Sequence, residues 1–71
     1  MPIIAITMRK TAPETKKELI NKMTETAVRI TNIPDHHFVI SINELEDTNL
    51  GIGGKTIEET LRSSQSLEFT G

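Results

Sequence analysis

Cysteine is absent from the 71 residues, so the chain can form neither a disulfide framework nor a cysteine-bound metal centre. Tryptophan and tyrosine are absent too, and phenylalanine occurs only at Phe38 and Phe69. Without aromatic platforms, stacking on nucleobases is not a mode open to this chain. The formal net charge is only −2, with both signs spread along the sequence, which argues against general nucleic-acid binding. No apolar run is long enough to span a bilayer, and no charged-then-apolar leader opens the chain. A cytoplasmic protein with neither a membrane nor a nucleic-acid partner is the expectation. The length suits one domain over 1–71, with a core too small to be more than marginally stable alone.

What is present falls into a simple order. Pro2 to Met8, "PIIAITM", is almost wholly apolar and reads as a strand covered on both faces. Thr11-Ala12-Pro13-Glu14 fits a capping box, with Thr11 as N-cap and Glu14 at N3. Leu19, Ile20, Met23, Ala27 and Ile30 follow at helical spacing as one apolar stripe, with Lys16, Lys17, Lys22 and Glu25 off it. Asn32 ends this helix and Pro34 confirms the stop. Phe38 to Leu45, "FVISINEL", alternates as a second strand, with Phe38, Ile40 and Ile42 on one face and Val39, Ser41 and Asn43 on the other. Strand, long helix and strand make a right-handed βαβ unit with parallel strands. Ile57 and Leu61 then suggest a short helix, with the chain fraying over 63–71. A two-stranded sheet leaves both edges open, so assembly through sheet edges and apolar faces is expected.

"GIGGKT", Gly51 to Thr56, imitates the end of a phosphate-binding loop. The full motif is G-x-x-x-x-G-K-[ST], and its first glycine would fall at position 49, where Asn49 stands. Too few residues follow to supply later strands, so the glycines read as a chain-reversing turn. His36-His37, read as adjacent strand residues, would point to opposite faces and could not readily share a metal ion. Glu44, near a strand end, reads as a salt-bridge or capping partner.

"MPIIAI" at the start, "KKELI" in the helix, Pro34 after it, Glu44 late in the second strand and "GIGG" at 51–54 together resemble the 4-oxalocrotonate tautomerase family, over about positions 2 to 62. The resemblance implies an α+β fold: a βαβ unit with parallel strands plus a C-terminal β-hairpin that packs near a neighbouring subunit's active site. It further implies a homo-oligomer, a hexamer built from dimers, acting on a small-molecule substrate with no cofactor and no metal.

In that family the initiator Met is removed and the N-terminal proline is a general base, a role that falls on Pro2. A free α-amino group titrates near 7.7–8.0, and an apolar pocket or a nearby cation lowers it toward neutrality. The resemblance places substrate-binding cations before the first helix, at Lys10 or Arg9, and pocket-shaping apolar residues at Leu50 and Ile52. A second family arginine falls on Val39, so one carboxylate-binding cation is missing, and a family aromatic falls on Leu50. The implied activity is keto–enol proton transfer on a small 2-hydroxydienoate or related 2-oxo acid. Two other classes stay open: a non-catalytic oligomeric subunit on the same scaffold, and a small α/β ligand-binding module.

Overall fold

The structure, a computed structural model, describes residues 1–63. Strand β1 (Ile3–Arg9) pairs in parallel with strand β2 (Val39–Leu45), in a register running from Ile3 opposite Val39 to Arg9 opposite Leu45. Parallel strands cannot be closed by a tight turn, and helix α1 (Pro13–Thr31) makes the crossover between them. Short 3₁₀ turns at Asp35–His37 and Asp47–Asn49 flank β2. Strands β3 (Gly51–Ile52) and β4 (Lys55–Thr56) form a small antiparallel hairpin, and helix α2 (Ile57–Ser63) follows at once. This is the expected α+β arrangement. The stretch expected to fray, 63–71, lies outside the described residues apart from Ser63.

The start of α1 differs from expectation. The N-cap is Ala12 rather than Thr11, and no side chain caps the helix. Pro13 sits at the first helical position, where its missing N–H costs nothing, and it holds the preceding residue extended, with Ala12 at ψ 148°. Thr11 is thereby left outside the helix, and its N–H turns to Glu44 Oε2 at 2.9 Å. The far end is as expected: Asn32 adopts the left-handed conformation (φ 62°) and its N–H reaches the Val28 carbonyl at 2.9 Å.

Burial alternates along both strands. Ile4, Ile6 and Met8 of β1 and Ile40, Ile42 and Glu44 of β2 are half-buried, whereas Ile3, Ala5, Thr7, Val39, Ser41 and Asn43 are exposed. The apolar run of β1 is therefore covered on one face only, contrary to expectation, because a single crossover helix shields one side of a two-stranded sheet. On α1 the half-buried residues are Lys16, Leu19, Thr24, Ala27 and Val28, while Ile20, Met23 and Ile30 of the expected stripe are exposed. Ile57 is the one fully buried hydrophobic residue among those described. His36 and His37 lie in a 3₁₀ turn rather than a strand, with rings in edge-to-face contact at 4.5 Å.

The hairpin explains the glycines. Ile52 pairs with Lys55 across Gly53 and Gly54, whose φ angles are +61° and +85°. Positive φ at both central residues is the geometry whose twist matches the flanking strands. Thr56 and Glu59 then close a reciprocal cap on α2: Glu59 N–H donates to Thr56 Oγ1 at 3.1 Å, and Thr56 N–H donates to Glu59 Oε1 at 3.2 Å. So Thr56, the threonine that mimicked a phosphate loop, is a helix cap.

No atom lies within 4 Å of a Cβ built at Gly53 or Gly54, so substitution there meets conformational strain alone. Gly54→Ala is expected to lower stability by about 1 kcal/mol. Asn at Gly53, which tolerates positive φ, should cost less than Ala. Urea denaturation at fixed protein concentration measures both, and unchanged midpoints for the two alanine variants would refute the assigned turn.

Candidate functional site

The parallel register divides the expected site residues between opposite ends of the sheet. At the end where both strands begin, Pro2 is half-buried and its carbonyl accepts the Val39 N–H at 3.0 Å. Val39 is partly exposed (39%), and Ile3 and Met1 are open at 60% and 84%. This end offers an apolar surface around Pro2. Val39, the position of the missing family cation, stands directly beside it.

At the end where both strands finish, charge dominates. Arg9 grips Asp47 with two parallel bonds, Nε to Oδ1 at 2.8 Å and Nη2 to Oδ2 at 2.9 Å. Lys10 Nζ lies 2.7 Å from Glu46 Oε1. Glu44 accepts the Thr11 N–H and, at 3.0 Å, the Lys16 ammonium. It thereby ties the end of β2 to the entry of α1, the bridging role expected of it. Between these pairs lies a shallow cleft of about 220 Å³, lined by Arg9, Lys10, Glu46, Asp47 and Glu58 among others. The hairpin hangs from the same end: the Leu50 carbonyl accepts the Ile57 N–H at 2.8 Å, Leu50 is half-buried, and Ile52 is exposed at 59%.

Arg9, Lys10, Leu50 and Ile52 thus all follow from the finishing end of the sheet, and Pro2 does not. The interval from Pro2 to Arg9 is an extended strand of roughly 23 Å at about 3.3 Å per residue. One chain cannot bring the proline and these cations to one small molecule. A larger groove of about 570 Å³ runs along α1 past Ile20, Thr24 and Val28 and contains none of the expected site residues.

Sequence reasoning missed Glu46 and Asp47. The signal was present: once Arg9 is in register with Leu45, the acidic residues following Leu45 must meet the basic residues at Arg9 and Lys10. Reading the two segments singly could not show it.

Hydrogen bonds set the protonation of this end. The Thr11 N–H, and after it the Lys16 ammonium, hold the Glu44 carboxyl below the usual carboxylate range. Arg9 does the same for Asp47 through its paired donors. Bonding to Glu46 keeps the Lys10 ammonium protonated above the usual lysine range. Among the described residues, no group of three or more histidine, cysteine or acidic side chains could hold a metal ion. No described helix is long and apolar enough to cross a membrane.

Residues 2–60 match the sequence profile of the family described as Tautomerase enzyme. The chain belongs to the tautomerase family, and its structural relatives place it with the 4-oxalocrotonate tautomerases. One is a 4-oxalocrotonate tautomerase isozyme from Methylibium petroleiphilum, 25% identical over 89% of this chain and 100% of that one, with a TM-score of 0.82. Another is a heterohexamer 4-oxalocrotonate tautomerase from Chloroflexus aurantiacus, 27% identical over 83% of this chain and 97% of that one, with a TM-score of 0.76. TomN, a 4-oxalocrotonate tautomerase homologue in the tomaymycin biosynthetic pathway, shares the fold at TM-score 0.81 with 23% identity over 92% and 100% of the two chains. A search of curated proteins finds no match.

Glu44 has a folded-state pKa below its unfolded value, so its contribution to stability is present above the ordinary carboxylate range and lost as pH falls through the lowered value. Glu44→Gln keeps an acceptor for the Thr11 N–H but removes the charge. The stability gap between wild type and variant should be largest at neutral pH and shrink on acidification. Denaturation midpoints at a series of pH values test this, and a gap independent of pH would contradict it.

Proposed function

We propose that the protein is a tautomerase that uses Pro2, freed by removal of Met1, as the general base for keto–enol proton transfer. The substrate is a small 2-hydroxydienoate or related 2-oxo acid. The observation that carries this reading is the position of Pro2: the family match begins at it, and it sits half-buried at the sheet's starting end beside apolar neighbours. With Met1 attached, the proline nitrogen is a tertiary amide without basicity. After cleavage it is a secondary amine whose lone pair can take the enol proton and, once protonated, deliver it to carbon. An apolar pocket around such an amine disfavours its charged form and so favours the free base.

The cations that draw charge toward the developing enolate are Arg9 and Lys10 of another copy, because one chain holds them a strand's length from Pro2. Leu50 and Ile52, on the hairpin at that same far end, belong to the same borrowed half of the site. Homo-oligomerisation is therefore part of the proposal, with a cytoplasmic hexamer as its specific form. It is supported by the open edges of β1 and β2, by the exposed Ile3, Ile20 and Ile30, and by the single fully buried side chain among the described residues. The relative described as a heterohexamer is consistent with such an assembly. A second reading, an oligomeric subunit without turnover, is favoured by Val39 beside Pro2 and by the carboxylates already bound to Arg9 and Lys10.

Intact mass should show loss of the initiator Met, and the processed protein should ketonise phenylenolpyruvate or a 2-hydroxydienoate. Pro2→Ala, which leaves a primary amine, should lose much of that rate. Equal rates from a form that retains Met1 would exclude the amine mechanism, and absence of turnover from the processed protein would leave the second reading.

A shared site predicts rescue by mixing. A Pro2→Ala chain and a chain carrying Arg9→Ala with Lys10→Ala should each be weak, whereas subunits exchanged at equal amounts should recover about a quarter of the intact sites. Absence of recovery in verified mixed oligomers, or a folded monomer in sedimentation, would rule out the shared arrangement.

A further inference from the structure

The cations at the finishing end of the sheet carry built-in competitors. Arg9 presents the Nε–Nη2 edge of its guanidinium, the edge that matches a carboxylate fork, and Asp47 fills it at 2.8 and 2.9 Å. Lys10 holds Glu46 at 2.7 Å. The neighbouring cations are matched as well, Lys16 with Glu44 at 3.0 Å and Arg62 with Glu58 at 3.4 Å. The Arg9–Asp47 pair is the more sheltered of those at the cleft mouth, its side chains 30% and 32% exposed against 65% and 57% for Lys10 and Glu46.

An incoming carboxylate that takes the same edge of Arg9 must displace Asp47. That exchanges one charge-assisted pair for another of the same kind, and leaves the displaced carboxylate close to the new anion. The net gain from such an exchange is small, although a free guanidinium would gain much. At the starting end of the sheet, Val39 rather than a cation stands directly beside Pro2.

We infer that Asp47 and Glu46 are specificity-determining residues: by occupying Arg9 and Lys10 they remove the advantage that a second carboxylate would otherwise give a dicarboxylate over a monocarboxylate. The inference rests on the reading of Arg9 and Lys10 as the substrate-facing cations. It assigns a role to two acidic residues which the proposed proton transfer does not itself use.

The test reads binding without turnover. Adipate and hexanoate, unreactive acids of equal length with two carboxylates and one, are titrated calorimetrically into the full chain at fixed pH and ionic strength. Wild type is expected to show little preference between them. Asp47→Asn should strengthen adipate binding about tenfold or more, with a smaller change for hexanoate, because Arg9 is freed. Asp47→Glu restores a carboxylate and should return the wild-type pattern, which a merely structural loss at position 47 would not produce. Glu46→Gln, at an exposed pair whose loss will not unfold the chain, should shift adipate in the same direction by a smaller factor.

The inference is overturned if wild type already binds adipate tenfold more tightly than hexanoate. It is also overturned if neither Asp47→Asn nor Glu46→Gln changes adipate binding, undetectable binding throughout included. Steady-state rates separate it from the proposed function. A chain inactive in every form that nevertheless gains adipate affinity on Asp47→Asn keeps the selection and loses the tautomerase reading. Pro2-dependent turnover with adipate affinity unchanged by the substitutions does the reverse.

Discussion

The parallel ladder between Ile3–Arg9 and Val39–Leu45 constrains everything else in this chain. Parallel pairing requires a long crossover, which α1 supplies. It also sends the starting ends of both strands one way and the finishing ends the other. Pro2 and Val39 are therefore neighbours, Arg9 and Leu45 are neighbours, and the two pairs are separated by the length of the strand. An antiparallel hairpin would have brought the start of one strand to the finish of the other. The split between an apolar proline end and a charged end is thus a property of topology, and it is what makes a single subunit insufficient for the proposed chemistry.

The ladder also leaves a structural deficit. Among the described residues, one helix covers one face of the sheet, both edges of β1–β2 are unpaired, and Ile57 alone is buried. Ile3, Ala5 and Thr7 on the bare face belong to the same strand as Ile4, Ile6 and Met8 on the covered one. A nearly continuous apolar strand fits a sheet with cover on both sides. Among the described residues of one chain the second cover is missing, and a further copy is the simplest source of it.

The charged end has a structural role that does not depend on any substrate. Glu44 joins β2 to the entry of α1 through the Thr11 N–H and Lys16, and Arg9 with Asp47 joins β1 to the turn after β2. These contacts fasten the entry of the crossover and the turn after β2 to the finishing end of the sheet. The same contacts decide how much positive charge remains for a ligand, so stability and specificity are coupled through Asp47 and Glu46.

The sequence by itself determined the elements and their order. The apolar run at Pro2–Met8, the helical spacing from Leu19 to Ile30, Asn32 with Pro34, and the alternation from Phe38 are local signals, each legible because backbone preference and side-chain period act over a few residues. The glycine pair was legible for the same reason, since positive φ is a demand of the turn itself. The Thr11 cap was misjudged because the restriction imposed by Pro13 outweighs a side-chain oxygen one residue further back. Tertiary structure alone decided which face of β1 is covered, that Glu46 and Asp47 neutralise Lys10 and Arg9, and that Val39 lies beside Pro2. Those facts depend on register between segments more than thirty residues apart, and no local preference encodes a distance of that kind.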